Sequence, residues 1–209
     1  MKRVQETIYV YGAGGHAKVV AAACRLRNYW IGGFIEDNSF RIGTEFCGSR
    51  ILSRTDLPEG ATVVIAFGNC QRRCELGNEL QRSGFSLPTI IHPAACVAED
   101  AVIGIGCFIG AFANLDPGCR IGDFCIINNS AIVCHDSELD SGCHICPGTA
   151  IAGGVHIGAR AWIGLGSRVI EKKTIGEGSL VGAGSVVVTS LPQRTLAYGV
   201  PAKVIKKME

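Results

Sequence analysis

The chain has 209 residues, of which 47% are hydrophobic and 18% are charged, and its formal net charge is only +2. This composition is typical of a globular protein with a sizeable core, and the absence of a Lys/Arg-rich block excludes a nucleic-acid binder. The first fifteen residues carry only a short apolar run, which predicts neither a signal peptide nor a membrane span, and hence a cytoplasmic protein.

Residues 7–24 predict a short strand, a glycine turn and a helix rich in alanine and valine. The turn, Gly12 to Ala17, fits the G-x-G-x-x-A pattern, in which amides at a helix N-terminus bind phosphates. A second strand ends at the acidic pair Glu36 and Asp37, where an acid that reads a ribose is expected. Alone, this pattern also fits a dinucleotide oxidoreductase, or glycines that only shape a tight turn.

Only one further strand, within "ATVVIAFGN", precedes a helical stretch and the end of this part of the chain near residue 90. Because that is half a dinucleotide-binding unit, we expect one nucleotide-linked group here. The sequence therefore predicts a small, Rossmann-like α/β domain over residues 1–90.

A period of six residues follows. Every sixth residue from Ile91 to Val187 is aliphatic, and the residue two before it, counted from Ala95 to Ser185, is Ala, Cys, Ser or Thr at fourteen of sixteen positions. Since residues two apart in a strand share a face, each hexad sends one aliphatic and one small side chain inward. Short strands that stack in this way form a parallel β-solenoid over residues 91–209.

Glycine often follows the aliphatic residue of a hexad, as in Ile103-Gly104 and Ile121-Gly122. Because glycine accepts a positive φ, these positions are expected to form the bends between strands.

The eleven cysteines predict free thiols, because their number is odd and several fill the small inward positions. The pairs Cys70/Cys74 and Cys143/Cys146 leave a zinc site as the alternative.

Two histidines, His135 and His144, lie nine residues apart within the repeats. His135 comes two residues after an inward valine, so it lies near a bend and can point outward. Histidine is suited to general-base catalysis near neutral pH, and a neighbouring carboxylate such as Asp136 can fix its tautomer. Gly153 is eighteen residues beyond His135, so an eighteen-residue coil would stack the two and bring the Gly153 N–H close enough to act as an oxyanion donor.

The repeat run resembles the hexapeptide-repeat acyltransferases, which implies a left-handed parallel β-helix with three hexads per coil. The N-terminal "YGAGGHA", the acidic pair, "AFGN" and the "HD" at 135–136 extend the resemblance to almost the whole chain. The chain is similar to the nucleotide-sugar N-acetyltransferases, which include enzymes acting on UDP-4-amino sugars and GDP-perosamine, and to the sialic-acid O-acetyltransferases.

That resemblance implies acetyl transfer from acetyl-CoA to the amino group of a nucleotide-linked deoxyaminosugar by a homotrimer, without a metal ion. It assigns the general base to His135, with Asp136 as its acidic partner. His144, Gly153, Lys172, Lys173 and Lys203 are implied at the acetyl-CoA site. The implied nucleotide-sugar contacts are Gly14, His16, Glu36, Asp37, Gly68 and Asn69.

Three alternatives stay open at this stage. The same base could act on a hydroxyl of sialic acid, or the fold could bind a nucleotide sugar without turnover. The γ-class carbonic anhydrases share the β-helix and bind zinc through three histidines, a number that His135, His144 and His156 could supply.

Overall fold

The computed structural model describes residues 5–209 and begins with a five-stranded sheet. Its strands are β1 (Thr7–Tyr11), β2 (Trp30–Ile35), β3 (Glu45–Phe46), β4 (Ser49–Leu52) and β5 (Thr62–Ile65), in the order β3-β4-β2-β1-β5. All pairs are parallel except β3 with β4. Helix α1 (Gly15–Leu26) follows β1, helix α2 (Cys70–Arg82) follows β5, and 3-10 turns cover Ser39–Arg41 and Arg54–Asp56.

The sheet contains the three predicted strands and two that sequence reasoning missed. β3 and β4 form a hairpin whose turn residues, Cys47 and Gly48, both have positive φ. β4 has a single buried residue, Ile51, so it lacks the apolar run or alternation by which strands are recognised.

The remaining strands are mostly two residues long and stack into three sheets in a left-handed parallel β-helix, as predicted. In chain order they are β6 (Ile90–Ile91), β7 (Cys96–Val97), β8 (Val102–Ile103), β9 (Phe108–Ile109), β10 (Asn114–Leu115), β11 (Arg120–Ile121), β12 (Ile126–Ile127), β13 (Ile132–Val133), β14 (Glu138–Leu139), β15 (His144–Ile145), β16 (Ala150–Ile151), β17 (His156–Ile157), β18 (Trp162–Ile163), β19 (Arg168–Val169), β20 (Thr174–Ile175), β21 (Leu180–Val181), β22 (Val186–Val187), β23 (Thr195–Gly199) and β24 (Ala202–Lys207).

Each coil has eighteen residues, because a residue in one strand pairs with the residue eighteen further on, as Leu115 does with Val133. The inward aliphatic residues form one continuous core with the small residues, including Cys107, Cys119, Cys125 and Cys143. These thiols are free and buried, and burial raises the pKa of Cys119, so they act as compact apolar side chains. The division of the chain at residues 90 and 91 stays a prediction.

The prediction that the glycines after the aliphatic residues form the bends through positive φ was wrong. Positive φ occurs instead at every sixth residue from 106 to 184, three positions after the aliphatic residue. Glycines such as Gly122 and Gly158 lie where the next coil passes closely: a Cβ there would be 2.6 Å from the backbone nitrogen of Ser141 and Glu177, respectively. They provide room for the neighbouring backbone rather than conformational freedom.

The α/β part packs on the outer surface of the sheet that contains β6, β9, β12 and β15. Outward side chains of this sheet, Phe108 and Ile126, are buried in one cluster with Ala17 and Val20 of α1. Among residues 5–209, no helix combines the length and the apolar character needed to cross a membrane.

Arg73 of α2 links the α/β part to the β-helix through hydrogen bonds. Its side chain is fully buried, and its guanidinium donates to the carbonyl oxygens of Phe67, Gly68, Phe124, Gly142 and Cys143 at 2.7–3.2 Å. None of the ion pairs within residues 5–209 involves this arginine. Backbone oxygens from both parts of the chain therefore satisfy a buried cation.

We predict that Arg73→Met destabilises the protein by about 3 kcal/mol or more, because it leaves buried carbonyl groups without donors. Urea unfolding measures the loss. The neighbouring Arg72 is the matched control: its side chain is half exposed and lies 3.7 Å from Asp37, so Arg72→Met should cost less than about 1 kcal/mol. Equal effects of the two substitutions would contradict the role given to Arg73.

Candidate active site

A cleft of about 450 Å³ opens where the carboxyl ends of β1, β2 and β5 meet the start of α1. It contains five of the six residues predicted to bind the nucleotide sugar: Gly14, His16, Glu36, Asp37 and Gly68. The sixth, Asn69, lies just outside as the N-cap of α2, where its side chain accepts a hydrogen bond from the Arg72 N–H at 2.9 Å. The structure therefore gives Asn69 a role as the N-cap of α2, beside the lining residue Gly68, and not in the cleft itself.

The N-terminus of α1 faces this cleft without a side-chain cap. Its N-cap is Gly14, and the first turn holds no acidic residue. Gly12 has φ +115°, and a Cβ there would approach the Ala66 carbonyl oxygen to 3.0 Å, so the turn requires glycine at this position. Free N–H groups and the helix dipole make this end suited to an anion such as a phosphate.

The carboxylates at the other side of the cleft are held by residues that sequence reasoning missed. The Tyr11 hydroxyl donates to Asp37 Oδ1 at 2.6 Å, and Arg41 lies 3.3 Å from Glu36. Burial and this carboxylate raise the pKa of Tyr11, so the phenol stays protonated as a donor. The sequence signal that could have identified Tyr11 is its position, because it is the last residue of β1, directly before the glycine turn. Phe67 and Arg72 complete the missed lining residues.

His144 lies next to His16 and Gly68, two lining residues of the cleft, on the seam between the α/β part and the β-helix. Its ring centroid is 6.3 Å from that of His16 and 4.5 Å from that of Trp162, and its side chain is nearly buried. Asn128 Nδ2 lies 3.2 Å from His144 Nε2. His16 Nε2 and His144 Nδ1 are buried without a well-oriented hydrogen-bond partner within residues 5–209. The structure thus groups His144 with His16 and Gly68, not with His135.

Both seam histidines are held in the neutral form. Burial, followed by the charge of Arg73, lowers the pKa of His16 to about 4 and that of His144 to about 3. At neutral pH each ring therefore offers one N–H donor and one acceptor nitrogen.

His135 and Asp136 form a second centre at the corner after β13. His135 Nδ1 lies 2.8 Å from Asp136 Oδ2, and because a carboxylate only accepts hydrogen bonds, Nδ1 is the donor in this contact. Neighbours in a strand would face opposite ways, but Asp136 has φ +57°, which turns its carboxylate back to the histidine. The side chains of His135 and Asp136 are 67% and 75% exposed.

Gly153 lies one coil beyond His135, as the repeat predicts. A Cβ on Gly153 would be 2.6 Å from His135 Nε2, and the Gly154 N–H donates to the His135 carbonyl at 2.9 Å. A side chain at position 153 would displace the His135 ring, so this position requires glycine.

The three lysines predicted at the acetyl-CoA site lie on later coils and in the C-terminal strand. Lys172 is exposed at a corner, and its N–H donates to the Gly153 carbonyl at 3.0 Å, which places it one coil beyond Gly153 and two coils beyond the His135 centre. Lys173 is half buried, and Lys203 is exposed in β24. Only Lys172 is shown close to the predicted catalytic residues.

The histidines of the zinc alternative do not converge within the chain. His135 follows one sheet, His144 belongs to the second, and His156 belongs to the third, where its Nε2 lies 3.3 Å from Asp140. Residues 5–209 contain no group of three His, Cys, Asp or Glu side chains arranged to hold a metal ion.

Comparison with known proteins agrees with this geometry. Residues 7–80 match the family model of the PglD N-terminal domain. GDP-perosamine N-acetyltransferase from Caulobacter crescentus, solved with CoA and GDP-perosamine, is 36% identical, with 98% of this chain and 99% of that chain covered and a TM-score of 0.91. The chain belongs to the hexapeptide-repeat nucleotide-sugar N-acetyltransferase family. The predicted family and fold are thereby confirmed.

Two further solved structures extend the comparison. The acetyltransferase domain of PglB from Neisseria gonorrhoeae, also solved with acetyl coenzyme A, is 33% identical, with 97% of this chain and all of that chain covered and a TM-score of 0.90. WeeI from Acinetobacter baumannii is 27% identical over 96% of this chain and all of that chain, with a TM-score of 0.82.

The curated relatives match over a shorter stretch. A suspected acetyltransferase of Schizosaccharomyces pombe is 56% identical over 48 residues, 23% of each chain. The chain therefore spans about a quarter of the length of the curated relatives it matches.

We predict that the seam histidines make stability depend on pH. An unfolded histidine has a pKa of about 6.5, so below that value the unfolded chain binds more protons than the folded one. The free energy of unfolding should fall from pH 6.5 toward pH 4, by up to about 1.4 kcal/mol per pH unit for each histidine. Above pH 6.5 these two histidines should not make the free energy of unfolding depend on pH.

Urea unfolding at pH 7.5, 6 and 5 checks this prediction. His144→Gln removes one titrating group and should flatten the slope, whereas Trp162→Phe changes the packing on the same ring and should keep it. Parallel pH dependences for wild type and His144→Gln would show that His144 is not responsible.

Proposed function

We propose that the protein transfers acetyl from acetyl-CoA to the amino group of a nucleotide-linked deoxyaminosugar. The observation that carries the proposal is the His135–Asp136 pair, 2.8 Å apart, in a chain whose α/β part also forms an anion-binding cleft. The solved relative from Caulobacter crescentus, with CoA and GDP-perosamine bound, supports both substrate classes.

The cleft supplies the groups that a nucleotide needs. The uncapped start of α1 receives the phosphates, and the carboxylates of Glu36 and Asp37 accept hydrogen bonds from the nucleoside. Because Tyr11 occupies Asp37 Oδ1, the second carboxylate oxygen is directed to the ligand and to Arg72. His16, which lines the cleft, and His144 beside it are neutral, so neither ring adds a positive charge to this side of the cleft.

His135 acts as the general base. The uncharged amine attacks the thioester carbonyl and forms a C–N bond, while its proton moves to His135 Nε2. The Asp136 carboxylate holds Nδ1–H and stabilises the imidazolium. The C–S bond then breaks, and the imidazolium returns the proton to the departing thiolate of CoA, which leaves the amide and free CoA.

Gly153 provides the oxyanion donor. It lies against the Nε2 edge of His135, so its N–H is near the carbonyl that the base-activated amine attacks. Lys172, one coil further, and Lys173 and Lys203 contact the phosphates of CoA in this proposal.

The active site is completed by trimer formation. His135 and Asp136 are largely exposed in the single chain, and Ile132, in the strand that leads to them, is an exposed apolar residue. Phe112 and Leu165 are further exposed apolar side chains on the β-helix. Closed three-fold association would cover such side chains and exclude water from the dyad.

Light scattering in solution tests the assembly, with three chain masses expected. Ile132→Glu places a charge on the proposed interface and should lower the mass toward one chain. Trp30→Glu is the control, because Trp30 is also an exposed large apolar residue but belongs to the α/β part. A wild-type protein that remains monomeric would refute the trimer.

The activity is tested by free-CoA release from acetyl-CoA with UDP-4-amino-4,6-dideoxy sugars, GDP-perosamine, CMP-sialic acid and free sialic acid. Turnover is expected with an amino sugar linked to a nucleotide. His135→Ala should lower kcat by about 10²–10⁴-fold with little change in the KM for that sugar. His156→Ala, a histidine of another sheet that also has a carboxylate neighbour, should leave kcat unchanged.

The other outcomes decide between the alternatives. Turnover with sialic acid alone would replace the amine by a hydroxyl nucleophile. Binding of nucleotide sugars without CoA release from any acceptor would favour a non-catalytic protein, and full activity of His135→Ala would remove that residue from the mechanism.

A further inference from the structure

The His135–Asp136 pair lies between two glycines, one in the coil before it and one in the coil after it. Gly153 contacts the histidine ring, whereas Gly118, eighteen residues before Asp136, lies beneath the carboxylate. A Cβ on Gly118 would be 2.7 Å from Asp136 Oδ1, closer than real contacts allow. The carboxylate occupies the space that a side chain at 118 would fill.

The backbone around Gly118 is fixed from both sides. Its N–H donates to Asp100 Oδ2 at 3.1 Å, and the Asp136 N–H donates to the Pro117 carbonyl at 3.1 Å. Because these hydrogen bonds hold both backbone segments in place, a side chain at 118 would displace the Asp136 carboxylate rather than the backbone of the coil. The same carboxylate holds His135 through its other oxygen, Oδ2.

Resting on the function proposed above, we propose that Gly118 is a positioning residue of the acetyl-transfer site: its missing side chain lets the Asp136 carboxylate lie over it and hold Nδ1 of His135. Gly118 touches neither substrate nor reacting atoms in this proposal. It acts only through Asp136.

Gly118 also has positive φ, so alanine there strains the backbone whatever it contacts. Gly148→Ala is the control that distinguishes backbone strain from the collision with Asp136. Gly148 occupies the same place in its hexad, with φ +66° against +75° for Gly118, but a Cβ on it would meet nothing within 4 Å. Gly118→Ala and Gly148→Ala thus share the backbone strain, and only Gly118→Ala adds the collision with Asp136.

The experiment compares kcat and KM for the two glycine variants, Asp136→Ala and the double variant Gly118→Ala/Asp136→Ala. Gly118→Ala should lower kcat roughly tenfold or more, with the KM for the nucleotide sugar within about twofold of wild type. Gly148→Ala should retain wild-type kcat. In the Asp136→Ala background, Gly118→Ala should have no further effect, because no carboxylate remains to be displaced.

Equal kcat values for Gly118→Ala and Gly148→Ala would overturn the inference, as would a loss that simply adds to that of Asp136→Ala. If Gly118→Ala unfolds while Gly148→Ala does not, thermal unfolding of the double variant decides. Recovery of stability on removing the carboxylate supports the collision, and no recovery overturns it.

Nitrogen NMR of the His135 ring tests the contact without reference to turnover. The wild-type ring should show a proton on Nδ1, and Gly118→Ala and Asp136→Ala should both shift the tautomer balance toward Nε2–H, whereas Gly148→Ala should not. An unchanged tautomer in Gly118→Ala would overturn the inference. Full activity of His135→Ala would contradict the proposed mechanism. The NMR experiment would still show whether Gly118 positions the Asp136 carboxylate, because it does not depend on turnover.

Discussion

The eighteen-residue register between successive coils is the constraint on which the rest of the structure depends. Each strand pairs with the strand one coil away, so residues eighteen apart in the chain are stacked in space. Hydrogen bonds fix that stacking along the whole β-helix, and the core of aliphatic and small side chains follows from it. A functional side chain on a corner therefore has two neighbours that are known from arithmetic alone, one in each adjacent coil. Those neighbours include Gly153 for His135 and Gly118 for Asp136, and the space that their missing side chains leave is occupied by the pair.

The same register explains why the two histidines of interest lie apart. Nine residues are half a coil, so His135 and His144 cannot share a face even though they are close in sequence. His144 points outward from the sheet that the α/β part covers, where Arg73 and His16 surround it, whereas His135 lies at an uncovered corner. The seam thus buries His144, whereas the fold leaves His135 exposed to solvent.

The fold was largely predictable because its signal is periodic. Seventeen aliphatic residues at a fixed spacing specify the core, and the glycine turn before α1 predicts the uncapped helix start that opens onto the cleft. The contacts that were missed depend on tertiary approach. Nothing near Arg73 in the sequence indicates that it is buried, because its five carbonyl partners come from three separate segments. The position of the left-handed corners was also mispredicted, since residues as different as Phe112 and Asp136 occupy them and the glycines mark close backbone approach instead.

The electrostatics of the two centres assign different chemistry to them. A general base works best when its conjugate acid has a pKa near the operating pH, because only then is it both unprotonated and basic enough to take the proton. Burial and Arg73 lower the pKa of His144 to about 3, which makes that imidazole a weak base but a dependable neutral hydrogen-bonding group. His135 has different surroundings: it lies at the end of a strand of another sheet, solvent reaches it, and the Asp136 carboxylate lies 2.8 Å from its Nδ1. The structure thus separates a buried pair of neutral histidines from an exposed histidine–carboxylate pair, and the proposed mechanism uses only the second as its base.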